Sequence, residues 1–266
     1  MKREVVVEGR GLHTGEAARV KLHARKGAVA LRVGATEAPL RELRVVDAHR
    51  GTTVQLGDAS VRTVEHLFAA CAGLGLYADL LVAVEGPELP LLDGGASEWM
   101  RALESLELEP SPPSLCVAKG GDVLGGAGLY RFSVQDELAV SVSIDFDDLR
   151  VTPEAAWDGT HATFRTNIAP ARTFAFARDL EELARAGLAS HATPTSAVLI
   201  APDRIHCAGA PFSPDEPARH KLLDLIGDLY LYGGPPIGSV RAELPGHAAT
   251  HAAVREALAG GILTRT

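Results

Sequence analysis

Residues 219–230 have the sequence Arg-His-Lys-Leu-Leu-Asp-Leu-Ile-Gly-Asp-Leu-Tyr, and this segment is the most decisive one for the fold. Apolar side chains at positions 222, 223, 225, 226, 229 and 230 cover most of a helix's circumference, so we predict a buried helix over residues 216–232. His220, Asp224 and Asp228 recur every four residues and therefore lie in one row along it. Because unpaired buried charge is costly, this row needs partners, and two neighbours in it could chelate one metal ion.

A single His-x-x-x-Asp match has a common alternative, a solvent-facing stripe with a capping acid, so a metal site needs a third ligand elsewhere. Residues 63–75 supply a candidate, because we predict there an apolar helix with Thr63 as N-cap and the pair Glu65-His66 in its first turn. Taken alone, His66 also suits a hydrogen-bonded core residue. Combined with the helix above, it completes two histidines and one carboxylate, the ligand set of a catalytic zinc, and leaves Glu65 as general base.

One more histidine follows a strand predicted over residues 239–244. Pro245-Gly246 places His247 behind a glycine turn, where a catalytic side chain can be presented. An exposed loop histidine is the alternative at this position.

The composition excludes several classes of protein. With 266 residues, 46% hydrophobic and 23% charged, the chain has the composition of a globular protein of one large domain or two. A net charge of −8 without a basic tract argues against a nucleic-acid partner. The start lacks the apolar run of a signal peptide, and the longest apolar stretch, residues 67–78, is shorter than the ~18 residues that span a bilayer. Three widely spaced cysteines suit a reducing compartment, so we expect a cytoplasmic protein.

The order of predicted elements repeats along the chain. Strands over residues 4–35 are followed by the first helix, a buried strand at 80–84 and a helix at 96–106. Beyond a proline-rich stretch, strands return, then a helix at 179–186, a strand at 197–200 and the long helix. We predict an α+β fold of two similar layered sheet-plus-helices domains: residues 1–109 with Glu65 and His66, a linker at 110–115, and residues 116–266 with the other site residues.

The sequence resembles the zinc-dependent UDP-3-O-acyl-N-acetylglucosamine deacetylases of lipid A (lipopolysaccharide) synthesis. Four segments carry the resemblance in the family's order: residues 9–15 (GRGLHTG), 63–70 (TVEHLFAA) with 86–94 (GPELPLLDG), 171–176 (ARTFAF), and 219–230 followed by Gly246-His247. The resemblance implies two α+β domains with the active site between their layers, and an insert in the second domain that shapes a passage for an acyl chain.

The resemblance also implies the chemistry at the site. It implies one Zn²⁺ per chain held by His66, His220 and Asp224, with Glu65 as general base. The reaction it implies is hydrolysis of the acetamide of an acylated UDP-amino-sugar, which releases acetate.

Five further residues receive roles from the resemblance. His247 matches the general acid, and Asp228 the carboxylate that orients and charges it. Thr173 matches a threonine that helps hold the oxyanion, Phe174 an aromatic residue that packs near the sugar, and Lys221 a lysine that contacts substrate. For partners we expect the acylated UDP-amino-sugar, no nucleic acid, a monomeric chain and at most a weak membrane-surface encounter through the substrate's acyl chain.

Three segments depart from the family pattern. Residues 190–196 replace paired glycines and a Ser-Leu-Asp-Asn-like run in or beside the acyl-passage insert, residues 47–51 differ before the first zinc motif, and residues 148–149 replace a His-Pro pair. These departures leave two alternatives open: a divergent paralogue that deacetylates a different N-acetyl sugar, and a non-catalytic sugar-lipid binding or regulatory protein.

Overall fold

The first half of the chain forms a four-strand run, a small three-stranded insert, and then a helix, a strand and a second helix. In the computed structural model, which describes residues 3–266, its elements are β1 (Glu4–Arg10), β2 (Ala17–Ala28), β3 (Ala30–Val33), β4 (Thr36–Pro39), β5 (Arg44–Asp47), β6 (Thr53–Leu56), β7 (Ala59–Val61), α1 (Glu65–Gly73), β8 (Ala78–Glu85) and α2 (Ser97–Glu104). Met1 and Lys2, which begin the predicted first domain, lie outside the described residues.

The second half repeats this order after a short leading strand. Its elements are β9 (Leu115–Val117), β10 (Gly121–Gly125), β11 (Gly128–Ser133), β12 (Leu138–Ser143), β13 (Glu154–Trp157), α3 (His161–Thr163, continued by a π-helical turn at Phe164–Ile168), β14 (Thr173–Phe176), α4 (Leu180–Arg185), β15 (Ala197–Ile200), β16 (Ile205–His206), α5 (Glu216–Tyr230), β17 (Gly238–Glu243), α6 (His247–Ala259) and β18 (Leu263–Arg265). Within residues 3–266, none of the helices is both long enough and apolar enough to cross a membrane.

Two five-stranded sheets share one topology. The first has the order β1-β2-β8-β3-β4 and the second the order β10-β11-β17-β12-β13. In each sheet one pair is parallel, β3 with β8 and β12 with β17, and the other neighbours are antiparallel. The matching order confirms the predicted α+β fold of two similar sheet-plus-helix units. The limits given for the two domains and the linker stay predictions.

The halves differ in the segment between the fourth sheet strand and the next long helix. In the first half this insert is the small sheet β5-β6-β7, and in the second it contains β14, α4, β15 and β16. Thr52 lies just before β6 and Thr173 begins β14, so each insert brings a threonine to the region where the halves meet.

Helices α1 and α5 pack against each other and join the two halves. Gly227 of α5 faces the start of α1, where a Cβ atom added to it would lie 2.0 Å from the carbonyl oxygen of Glu65. A residue without a side chain is therefore needed for this close approach. Phe68, Leu222 and Ile226 are fully buried in the same core.

Local details at three helix ends differ from the sequence predictions. Thr63 is not the N-cap of α1, because it has a φ of 58° and its hydroxyl donates to the buried Glu88 carboxylate at 2.8 Å; Val64 takes the cap position. The long helix ends at Tyr230 rather than at residue 232. His247 is the first residue of α6, after Gly246, instead of a loop residue.

Candidate active site

A cavity of about 450 Å³ lies where α1, α5 and the start of α6 converge. It is lined by eight of the nine site residues named from the sequence: Glu65, His66, Thr173, Phe174, His220, Lys221, Asp224 and His247. The ninth, Asp228, is buried and binds His247 from behind. The structure therefore brings all nine residues together, while the role of each stays a prediction.

Three of these residues form a buried set of metal donors. The ring nitrogens of His66 and His220 and a carboxylate oxygen of Asp224 lie within 4.8 Å of one another. Nε2 of His66 is 3.8 Å from Oδ1 of Asp224, and Nε2 of His220 is 3.5 Å from the same oxygen. These separations are longer than ordinary hydrogen bonds, so the donors face one another across a gap instead of satisfying one another.

The protonation states of the three donors also suit a cation. Desolvation by burial lowers the pKa of His66 to about 3 and is the main cause of the lowered pKa of His220, so both rings are neutral at pH 7. Nδ1 of His220 donates to the Ala171 carbonyl oxygen at 3.0 Å, which leaves Nε2 as the acceptor toward the gap. Burial opposes ionisation of Asp224, but nearby positive charge, above all that of Lys221 and also that of His247, more than offsets it and lowers the pKa of Asp224.

Glu65 is held at the first turn of α1 with its carboxylate beside the donor set. Desolvation raises the pKa of Glu65 to about 7. Its Oε2 accepts the Thr52 backbone N–H at 3.0 Å, and its Oε1 lies 4.0 Å from Nε2 of His247. A carboxylate with a pKa near neutrality is well matched to accept a proton at pH 7.

His247 carries the complementary charge. Its Nδ1 donates to Oδ2 of Asp228 at 2.9 Å. Burial lowers the pKa of His247, but Asp228 and Asp224 more than offset this and raise it to about 9. The ring is therefore cationic at pH 7, and its Nε2–H is directed to the side where Glu65 lies.

The remaining predicted residues lie on the rim of the cavity. Thr173 is half-buried, and its backbone N–H donates to the carbonyl oxygen of Gly94 at 2.8 Å. The Phe174 ring meets the His220 ring edge-on, with 6.0 Å between centroids. Lys221 donates from Nζ to Oδ2 of Asp224 at 2.7 Å, so this structure gives it a contact with a predicted metal ligand.

Comparisons with known proteins identify the family of this chain. The family model described as LpxC, UDP-3-O-acyl N-acetylglycosamine deacetylase, matches residues 1–259. A UDP-3-O-acyl-N-acetylglucosamine deacetylase from Anaeromyxobacter sp. (strain Fw109-5) is 36% identical over 265 residues, which cover 97% of this chain and 87% of the relative. Those of Myxococcus xanthus (strain DK1622) and Methylococcus capsulatus are each 34% identical, over 95% and 93% of this chain and 83% and 85% of their own lengths.

The chain belongs to the UDP-3-O-acyl-N-acetylglucosamine deacetylase family.

A second cavity lies next to the first one. It has a volume of about 510 Å³, shares Thr173 and Phe174 with the first cavity, and continues between α4 and β15. Its wall is mostly apolar, with Leu183 and Val198 among the lining side chains. Residues 190–196, which depart from the family pattern, contribute Ala192, Thr193 and Pro194 to it.

Sequence reasoning missed two polar residues behind the deacetylase-family site. The Thr52 hydroxyl lies 2.6 Å from Oδ1 of Asp228, and Nε2 of His251 lies 2.9 Å from that hydroxyl. The spacing of His247 and His251, four residues apart on one helix, was an available signal for the second histidine. The segment around Thr52 holds no comparable signal, because its contacts are made across the fold.

It also missed a buried ion pair that supports the second half of the site. Nε of Arg172 donates to Oε1 of Glu216 at 2.8 Å, and both side chains are almost fully buried. The pair joins the start of β14 to the start of α5. Arg172 lies between Ala171, whose carbonyl orients His220, and Thr173.

Proposed function

We propose that this protein is a zinc-dependent amide hydrolase that removes the acetyl group from UDP-3-O-acyl-N-acetylglucosamine in lipid A synthesis. The observation that carries the proposal is the placement of Glu65 and His247, with pKa values of about 7 and 9, next to a donor set of two neutral histidines and a carboxylate. Membership of the deacetylase family supports the same reaction.

The donor set fits zinc. His66, His220 and Asp224 match the two-histidine, one-carboxylate composition of catalytic zinc sites, which keep a position open for water or substrate. The hydrogen bond from His220 to a backbone carbonyl is the outer-shell contact that such ligands make. When bound, zinc would polarise the amide carbonyl and lower the pKa of a coordinated water.

The proton transfers are assigned to Glu65 and His247. Glu65 in its carboxylate form takes a proton from the attacking water as the water oxygen bonds to the acetamide carbon. The C–N bond then breaks, and His247 gives its Nε2 proton to the departing sugar amine. The immediate products are acetic acid and the free amino sugar nucleotide. The proton that Glu65 gained then replaces the one that His247 lost, and acetic acid ionises to acetate, so both groups return to their starting forms.

The other site residues hold these groups and the substrate. Asp228 keeps His247 cationic and fixes its ring through Nδ1. The Thr173 hydroxyl stabilises the developing oxyanion, since a preorganised donor acts most strongly where charge appears in the transition state. Phe174 packs against the sugar, and Lys221 contacts substrate from its position beside Asp224.

The second cavity is assigned to the acyl chain. It adjoins the first cavity at Thr173 and Phe174, and its apolar lining suits a hydrocarbon chain attached to the sugar. The departure at residues 190–196 falls in this wall and outside the acid/base groups. We therefore expect this protein to differ from its relatives in acyl preference before it differs in chemistry.

Acetate release from the acylated UDP-sugar tests the proposal. Purified protein with one zinc per chain, measured by elemental analysis, should release acetate, and Glu65→Gln should retain zinc and lose most of that release. A panel of acylated and non-acylated N-acetyl sugars separates this substrate from that of a divergent paralogue. Protein that holds zinc but hydrolyses none of the panel would favour a non-catalytic binding role.

The setting of the reaction is part of the proposal. We propose a monomeric, cytoplasmic enzyme that meets a membrane surface only weakly, through the acyl chain of its substrate. Sedimentation of the purified protein would test the monomeric state, and fractionation of cells that express it would test the location and the weak membrane encounter.

A further inference from the structure

Thr52 is a fully buried residue that contacts a charged group from each half of the molecule. Its backbone N–H donates to Oε2 of Glu65 at 3.0 Å, at the start of α1. Its hydroxyl lies 2.6 Å from Oδ1 of Asp228, on α5. Thr52 itself lies just before β6 in the insert of the first half, outside both helices.

The directions of the two hydrogen bonds at the Thr52 hydroxyl follow from the chemistry of the groups. An ionised carboxylate only accepts, so the Thr52 hydroxyl donates to Asp228. Its oxygen then accepts from Nε2–H of His251, 2.9 Å away, and Nδ1 of His251 lies 3.1 Å from the Tyr232 hydroxyl.

Both oxygens of Asp228 are then in use. Oδ2 holds His247 at 2.9 Å, and Oδ1 holds Thr52. Nε2 of His251 is also 3.3 Å from Oδ1. Without the threonine hydroxyl, Oδ1 has His251 as its closest alternative donor, and a turn of the carboxylate toward His251 draws Oδ2 away from His247.

We propose that Thr52 is a positioning residue for the deacetylation. It holds Glu65 through its backbone N–H and Asp228 through its hydroxyl, and so keeps the base, Glu65, and the acid, His247, in position relative to each other. This inference rests on the proposed function, because it assigns Thr52 a role in the proton transfers of that reaction. The backbone contact survives any substitution, so the side chain alone can be tested.

The test compares isosteric and conservative variants of Thr52. Thr52→Val keeps the shape and removes the hydroxyl, and we expect it to lower kcat about 10-fold or more, as the loss of a hydrogen bond to a charged group does. KM and zinc content should stay near those of the wild type. Thr52→Ser, which restores the hydroxyl, should restore kcat. Thr53→Val, the same change at the next residue and outside this network, is the matched control.

A second measurement is independent of turnover. The proton on Nδ1 of His247, shared with Asp228, can be followed by proton NMR, and Thr52→Val should shift its resonance while Thr52→Ser and Thr53→Val leave it in place. Thr52→Ala, which adds no bulk, replaces Thr52→Val if the valine variant does not fold.

The outcomes separate the two proposals. A wild-type protein that releases no acetate overturns the proposed function, and the NMR comparison still reports whether Thr52 positions Asp228. An active wild type with an equally active Thr52→Val overturns the positioning role alone. Equal losses in the valine and serine variants would also overturn it, because side-chain shape rather than the hydroxyl would then matter.

Discussion

The two halves of the molecule have the same order of elements and the same sheet topology, yet they contribute unequally to the site. The first half places Glu65 and His66 in the first turn of α1. The second half places His220, Asp224 and Asp228 in a row along α5, and His247 at the start of α6. The helix α2, which has in the first half the place that α6 has in the second, begins at Ser97 and contributes no residue to the cavity.

The repeated framework therefore brings the two halves together, and the individual side chains of each half supply the chemistry. Neither half holds a complete set, because His66 comes from one and His220 and Asp224 from the other. The proposed base, Glu65, and the proposed acid, His247, are divided in the same way. Substitutions in each half test this division, and removal of a metal ligand tests it most strongly.

Removal of one metal ligand from either half should have the largest effect. His66→Ala and His220→Ala each leave two of three donors, so we expect both variants to lose bound zinc and to lose acetate release to the level of metal-free protein. Elemental analysis and the acetate assay measure this. His161→Ala, a change at an exposed histidine, is the control. Full zinc content in either variant would contradict a site shared between the halves.

Removal of the base or the acid should reduce turnover but keep the metal. We expect Glu65→Gln and His247→Gln to lower kcat by a factor of roughly 10² or more, since positioned general acids and bases contribute about that much. Zinc content should remain near one per chain in both. Near-normal rates in both variants would mean that the proton transfers are assigned to the wrong residues.

Most of the fold could be predicted from the sequence because the signals for its helices and strands are local. The apolar positions of residues 219–230 and the row of His220, Asp224 and Asp228 lie within one helix, where spacing determines which face a residue occupies. The repeated order of strands and helices likewise follows from local pattern. Strand β15, at Ala197–Ile200, has the predicted limits.

The parts that could not be predicted depend on contacts between distant segments. Thr52 and Asp228 are 176 residues apart in sequence, and no periodicity brings them together. Thr63 was predicted as an N-cap because capping is a local rule, but its hydroxyl binds Glu88 instead. The parallel pairing of β3 with β8 and of β12 with β17 likewise depends on contacts between distant segments.

The pH dependence should distinguish the contributions of the two halves. Glu65 acts when ionised, so kcat/KM should rise as the pH passes about 7, and His247 acts when protonated, so it should fall as the pH passes about 9. Asp228→Asn removes the charge that offsets the effect of burial on His247, and the falling limb should move to lower pH. The rising limb should move less, because desolvation is the main cause of the raised pKa of Glu65. A falling limb that stays in place would show that His247 is not the group titrating there.

The contact that joins the halves should be sensitive to a single methyl group. In Gly227→Ala the new Cβ would meet the Glu65 carbonyl oxygen at 2.0 Å, so α5 must move away from the start of α1. We expect overpacking to lower the free energy of unfolding by about 1–3 kcal/mol, of which alanine's better helix propensity recovers up to about 1 kcal/mol. Acetate release should fall as well, because the same shift separates Glu65 from His220 and Asp224.

Gly120→Ala is the matched control for that substitution, since a Cβ there has its closest contact at 3.5 Å, with the carbonyl oxygen of Phe132. Urea unfolding of both variants measures the stability, and the acetate assay measures the geometry. At Gly227 the two halves are in contact through backbone atoms alone. A side chain of any size at this position therefore tests whether the site needs α1 and α5 this close together. A Gly227→Ala variant as stable and as active as Gly120→Ala would contradict this expectation. It would mean that α1 and α5 can move apart at this point without displacing Glu65, and that other contacts fix the relative positions of the site residues.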